Sequence, residues 1–208
     1  MNKMAKGSRG GRRTSLGSGG GMSSDDIVSV ESLVSKREGM RSEVDAVLSV
    51  SRDIYGSFGL EVEDIHIATM KGKGKMAMGY YDGSNIAINK SYFNNKNMEK
   101  AYSDCVKSGF HPSQGKKTAL QAVTAHELGH ALTDKIVNEK KMDEKTIISK
   151  ASMKTGHGQD HISFASKISG YAKESNRECI AEAFADVYCN GSKAKKESQA
   201  IVDVMKGK

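Results

Sequence analysis

The residues best spaced for chemistry lie in Ala125-His126-Glu127-Leu128-Gly129-His130-Ala131, the one closely spaced His, Glu, His set in the chain, inside a helix-forming run. Positions four apart on an α-helix project from one face, so His126 and His130 can offer two imidazole nitrogens to a single metal ion. Glu127 lies about 100° further round the helix, badly placed as a third ligand but within reach of a water on the metal, which suits a general base. The spacing favours zinc. The bland alternative is a buried helix whose histidines are satisfied by core hydrogen bonds. Gly129 argues against it, because glycine inside a helix costs ~1 kcal/mol relative to alanine and marks a close approach by another element.

A catalytic zinc takes three protein ligands and leaves a fourth position open, so a partner must come from elsewhere. One large group of metal peptidases uses His-Glu-x-x-His-x-x-Gly-x-x-His; the corresponding position here is Ile136, which excludes that pattern. Downstream, Glu178 and Glu182 lie four apart on an alanine-rich helical stretch, on a different face from Ile180, Phe184 and Val187. Two arrangements fit. Either Glu182 is the third ligand with Asp186 behind a histidine, as in thermolysin-like enzymes, or Glu178 is the ligand with Glu182 in that supporting role. Small residues at 181, 183 and 185 would let the motif helix approach closely.

The elements that must carry these residues read as α+β. Residues 25–34 suggest a short helix capped by Asp25 and Asp26, and 40–58 a longer one with Val44, Val47, Leu48 and Ile54 on one face, ended by Gly56 and Gly59. Short β-prone runs at 62–70, 76–81 and 85–89, separated by Lys71-Gly72-Lys73-Gly74 and Asp82-Gly83-Ser84, predict antiparallel hairpins in a small sheet. A helix over 98–107 leads to a loop containing His111 and Pro112, where His111 is expected as a loop residue and not a ligand. Thr118 to Asp134 is the motif helix, capped by Thr118. Residues 139–166 predict one or two short helices around Gly156-His157-Gly158, with His157 and His161 as exposed loop histidines. Helical spacing then organises 169–190, Gly191 ends it, and 193–208 forms a basic amphipathic helix.

A chain of 208 residues has room for one substantial core. The expected division is a disordered Gly/Ser/Arg-rich tail over 1–24 and one domain over 25–208. Lys3, Lys6, Arg9, Arg12 and Arg13 supply five of the seven net positive charges, so the basicity belongs to the tail, which suits at most weak contact with nucleic acid or an acidic partner. No apolar run approaches the ~20 residues of a membrane span, and the start lacks the apolar core of a secretory signal. Cys105, Cys179 and Cys189 are odd in number and have no metal-pair spacing, which fits buried thiols in a reducing compartment.

Tyr171 stands seven residues before Glu178, and Glu178-Cys179-Ile180-Ala181-Glu182-Ala183-Phe184 follows it. With His126-Glu127-Leu128-Gly129-His130, this resembles the zincin-like metallopeptidase domain of anthrax lethal factor and its relatives, including the proline-proline endopeptidases. The likeness covers about 119–131 and 169–186, and departs from the family at Ala172 and at Cys179-Ile180. It implies an α+β fold with a small antiparallel sheet, a motif helix and a later Glu-bearing helix. It further implies a Zn2+ site of His126, His130 and Glu178, with Glu182 bonded to a zinc histidine and Tyr171 assisting at the substrate carbonyl.

The expected chemistry is peptide-bond hydrolysis with Glu127 as base, on a protein or peptide substrate paired to a strand of the 76–89 hairpin. Domains of this kind also occur in phage-encoded proteins, so the expected location is cytoplasmic or virion-associated, with no membrane partner. The rival is a closed structural zinc site in a phage- or toxin-associated binding protein, which would need a fourth protein ligand such as His157 or His161.

Overall fold

The computed structural model describes residues 20–22, 28–29, 41–61, 64–72, 76–140 and 142–208. In chain order its elements are β1 (Gly20–Met22), β2 (Val28–Ser29), α1 (Arg41–Gly56), β3 (Ile65–Ala68), β4 (Met70–Gly72), β5 (Gly79–Tyr81), β6 (Ile86–Asn89) and α2 (Asn95–Lys107). There follow α3 (Ala119–Lys140), α4 (Glu144–Lys154), α5 (His161–Ile168), α6 (Asn176–Asn190) and α7 (Lys196–Met205). The class is α+β, as the sequence implies, and mostly helical. Among the described residues no helix is long and apolar enough to cross a membrane.

The sheet corrects one expectation. Its order is β2-β3-β6-β5, and it is mixed: β5 and β6 form the antiparallel hairpin, but β3 runs parallel to β6, with Ile65 opposite Ile86 and Ile67 opposite Ile88. Ile86, Ala87, Ile88 and Asn89 are all buried, the unbroken run expected of a central strand covered on both faces. After β3 the chain turns away into β4, which pairs with β1, so the second strand of the hairpin is the one that meets β3. Val28–Ser29 is a strand against β3 where a helix was expected, and β1 lies within the segment expected to lack fixed structure; the rest of both segments falls outside the described residues.

The hairpin turn is fixed by Asp82, whose Oδ1 accepts hydrogen bonds from the backbone of Ser84 at 2.9 Å and Asn85 at 2.7 Å, while Gly83 takes φ +98°. This sets which face of β5 meets the motif helix. Tyr81, Ile86 and Ile88 pack into the main core with Leu120, Leu128 and Leu132 of α3.

Helix α3 begins as a reciprocal capping box: Thr118 Oγ1 accepts from Gln121 N at 3.2 Å, and Gln121 Oε1 accepts from Thr118 N at 3.0 Å. It runs on to Lys140, past the expected end, and is buried continuously from Ala122 to Thr133. The predicted helical stretch over 169–190 is broken in two. Tyr171–Lys173 is a 3-10 turn, and Ser175, in extended conformation, caps α6 by accepting from Glu178 N at 3.1 Å. The break frees Tyr171 from the direction of the helix that carries Glu178.

Helix α6 lies against α3 at Gly129, where a Cβ would stand 3.0 Å from Phe184 Cβ and 3.1 Å from Ala181 Cα. Any larger side chain there would push the two helices apart, and with them the residues they bring together. Arg177 fastens the same joint, forking onto Asp134 of α3 at 2.6 and 2.9 Å and reaching Glu144 of α4 at 3.1 Å. Cys179 and Cys189 are buried and Cys105 is half-buried, all as free thiols.

Candidate metal centre

Three side chains converge inside the protein. His126 Nε2 lies 3.2 Å from His130 Nε2 and 3.2 Å from Glu178 Oε2, and His130 Nε2 lies 3.4 Å from the same oxygen. Together they form a buried group that can hold a metal ion. The spacing fits one well: ligands about 2.0–2.1 Å from a tetrahedral zinc stand roughly 3.3–3.4 Å apart. Two imidazole nitrogens that face each other can share one proton at most, so a cation suits this meeting of lone pairs and carboxylate better than protons alone.

Glu182 takes the supporting position. Its Oε1 lies 2.9 Å from His126 Nδ1 and 2.9 Å from His111 Nδ1, and its Oε2 accepts from Ser169 Oγ at 2.7 Å. Burial alone would raise its pKa, but the facing His111 and His126 hold it down at about 2. Burial likewise opposes the charged form of His111, yet the Glu182 carboxylate pushes it up to about 9. An ionised Glu182 only accepts, so it keeps a proton on His126 Nδ1 and leaves Nε2, the nitrogen beside Glu178, as the one a metal would take. Asp186, the partner in the other arrangement, is engaged elsewhere: it accepts from Asn190 Nδ2 at 2.8 Å and from Lys195 N at 2.9 Å, ahead of α7.

Glu127 stands beside the triad and outside it, only 3% exposed, with burial as the main cause raising its pKa to about 8. It is packed against β5: a Cβ on Gly79 would fall 2.5 Å from Glu127 Oε1. Only glycine leaves room there for the carboxylate. Tyr171 is buried, its ring stacked on His126 at 5.8 Å, while Tyr81 stacks on His130 at 6.5 Å. Burial first, then the Glu178 and Glu127 carboxylates, push the Tyr171 phenol far above its ordinary pKa, so it stays a proton donor.

Strand β5 is the edge of its sheet among the described residues. Hydrogen bonds from Asn89 N to Met78 O and from Asp82 N to Asn85 O mark 78/89 and 82/85 as bonded pairs. Pairs alternate in an antiparallel ladder, so the main-chain groups of Gly79 and Tyr81 point away from β6, toward the outer edge, while Glu127 packs on the face of the strand at Gly79.

His126, Glu127, His130, Tyr171, Glu178 and Glu182 are therefore brought together. Correction is needed for three histidines. His111 is in a loop and outside the triad, as expected, but it joins the site through Glu182. His157 lies in a loop, as expected, but is half-buried with Nε2 2.9 Å from Glu197 Oε1, and His161 is half-buried at the start of α5 with Nε2 3.3 Å from Ser149 Oγ, neither of them in the triad. Gly156 and Gly158, at φ +85° and +61°, fold the turn that tucks His157 against α7. Sequence reasoning missed His111, Ser169, Arg177 and Gly79; the last left a signal, since glycine inside a strand marks a close approach.

No family model, no curated protein and no solved structure matches this chain.

Proposed function

We propose that this chain is a zinc-dependent endopeptidase of the zincin type. The observation that carries the reading is Glu178, delivered by α6 to the histidine pair so that Glu127 is not consumed as a ligand. His126, His130 and Glu178 would hold the ion. Zinc held there would supply Lewis acidity, lowering the pKa of a water to ~7 and polarising a carbonyl oxygen.

The remaining work belongs to the protein. Glu127 takes the proton of the attacking water and returns it to the leaving amine, a task suited to a buried carboxylate that stands beside the three ligands without being one of them. The phenol of Tyr171 donates to the carbonyl oxygen as that atom gains charge. An extended peptide would lie along β5, using the outward main-chain groups of Gly79 and Tyr81. Such pairing reads little sequence, which fits a protein or peptide substrate recognised through its backbone.

Purified protein incubated with an unfolded protein substrate should cleave it, lose the activity to a strong chelator, and regain it on adding zinc. Failure to cleave at any metal loading would remove the peptidase assignment. Tyr171→Phe should reduce turnover about a hundredfold, the usual worth of one oxyanion donor, with metal content unchanged. Turnover equal to the native protein's would remove Tyr171 from the reaction.

A further inference from the structure

We propose that His111, on the loop between α2 and α3, is a positioning residue of the metal centre: through the Glu182 carboxylate it fixes the ring of His126. The inference rests on the metal-binding reading above. Glu182 is a flexible side chain, and one bond from His126 would leave its carboxylate free to turn about its own axis. Instead Oε1 is shared at 2.9 Å between His126 and His111, while Oε2 is held by Ser169 at 2.7 Å. With His111 also on Oε1 and Ser169 on the other oxygen, the carboxylate cannot turn away and keeps Oε1 beside His126 Nδ1. That contact, with the Tyr171 ring stacked on the imidazole, limits how far the ring of His126 can turn.

His111 is itself held firmly. Its ring stacks on Tyr102 at 5.4 Å with an interplanar angle of 3°, and meets Tyr171 edge-on at 5.4 Å. The Tyr102 hydroxyl donates to Pro112 O at 3.0 Å, tying α2 to the residue after His111. The loop backbone is latched to the Tyr171 turn by Gly170 N to Gly109 O at 2.8 Å and Tyr171 N to Phe110 O at 2.9 Å. Gly170 permits this latch, since a Cβ there would lie 3.1 Å from Gly109 O. One loop therefore reaches both the ligand His126, through Glu182, and the proposed donor Tyr171. Partners of a metal ligand commonly change metal affinity 10- to 100-fold when removed.

The test compares His111→Leu with His111→Asn in the full chain, two side chains of similar size that both lack the ring and differ in whether a donor stands near the Nδ1 position. Zinc affinity is measured by competition with a chromophoric chelator, and ligand geometry by the visible absorption of the cobalt-loaded protein. Leu should weaken zinc binding about tenfold and shift the cobalt bands, and Asn should restore both most of the way. Equal affinity and equal spectra for Leu and Asn would overturn the inference, because loss of packing alone affects both alike. If the Leu variant does not fold by circular dichroism, His111→Phe, which keeps the ring, takes its place against Asn. His126→Ala separates the two levels of the argument: retained metal binding there removes the metal centre itself, whereas its loss beside an indifferent His111 removes only the positioning role.

Discussion

Glu127→Gln is expected to bind one metal ion as tightly as the native chain while cleaving an unfolded protein substrate 10²- to 10⁴-fold more slowly, the range for a lost general base. The expectation follows from where the carboxylate is and what it does not touch. It is buried beside the two histidines yet outside the His126, His130 and Glu178 cluster, so exchanging one oxygen for an amide removes a proton acceptor and leaves the ligands in place. The amide is almost isosteric, which matters because Gly79 leaves the side chain no spare room. Metal content by elemental analysis and initial rates on the same preparations check both halves. Unchanged cleavage with full metal would mean that Glu127 is not the base, and a loss of metal equal to the loss of rate would make it a structural support.

The second large effect is expected at Glu178. Glu178→Gln should weaken metal binding roughly a hundred- to a thousandfold, about one ligand's share of the 10–16 kcal/mol that complete zinc sites provide. In the metal-free protein burial works against this carboxylate, but hydrogen bonds from His126 and His130 dominate and hold it well below the ordinary carboxylate range. A depressed pKa stabilises the fold above the unfolded value near 4.5 and loses that contribution as pH falls. Metal-free Glu178→Gln should therefore lose less thermal stability than the native chain on acidification below about pH 4.5. Titration with zinc, and melting curves of the metal-free proteins across that range, measure the two effects. Native-like zinc affinity in the variant would return the third-ligand role to Glu182.

The parts legible in the sequence are those governed by local periodicity. The four-residue spacing of His126 and His130, the cap at Thr118 and the apolar faces of α1 and α6 depend on neighbours within a turn or two. Gly129 also carried its message, since an interior helix glycine announced the close approach that Phe184 and Ala181 make. Strand neighbours were not legible, because pairing β3 with β6 and not with β5 depends on which edge the rest of the chain leaves open. The second partner of Glu182 was equally hidden. His111 lies 71 residues from it in the chain, with no spacing rule to connect a loop histidine to a helix carboxylate. Helical periodicity also overran Ser175, whose capping hydroxyl outweighed the apolar pattern and split the stretch in two.

Residue parity along β5 has a consequence for how such a centre can vary. Side chains alternate faces, so the four-residue turn from Asp82 to Asn85 decides that a hydrogen atom, and not the phenol ring of Tyr80, meets the Glu127 carboxylate. A slip of one position would put an aromatic ring against that carboxylate and also exchange the backbone groups offered along the outer rim. The glycine must therefore stay at this one register position, and the hairpin serves as the vernier that sets the Glu127 carboxylate against the open strand.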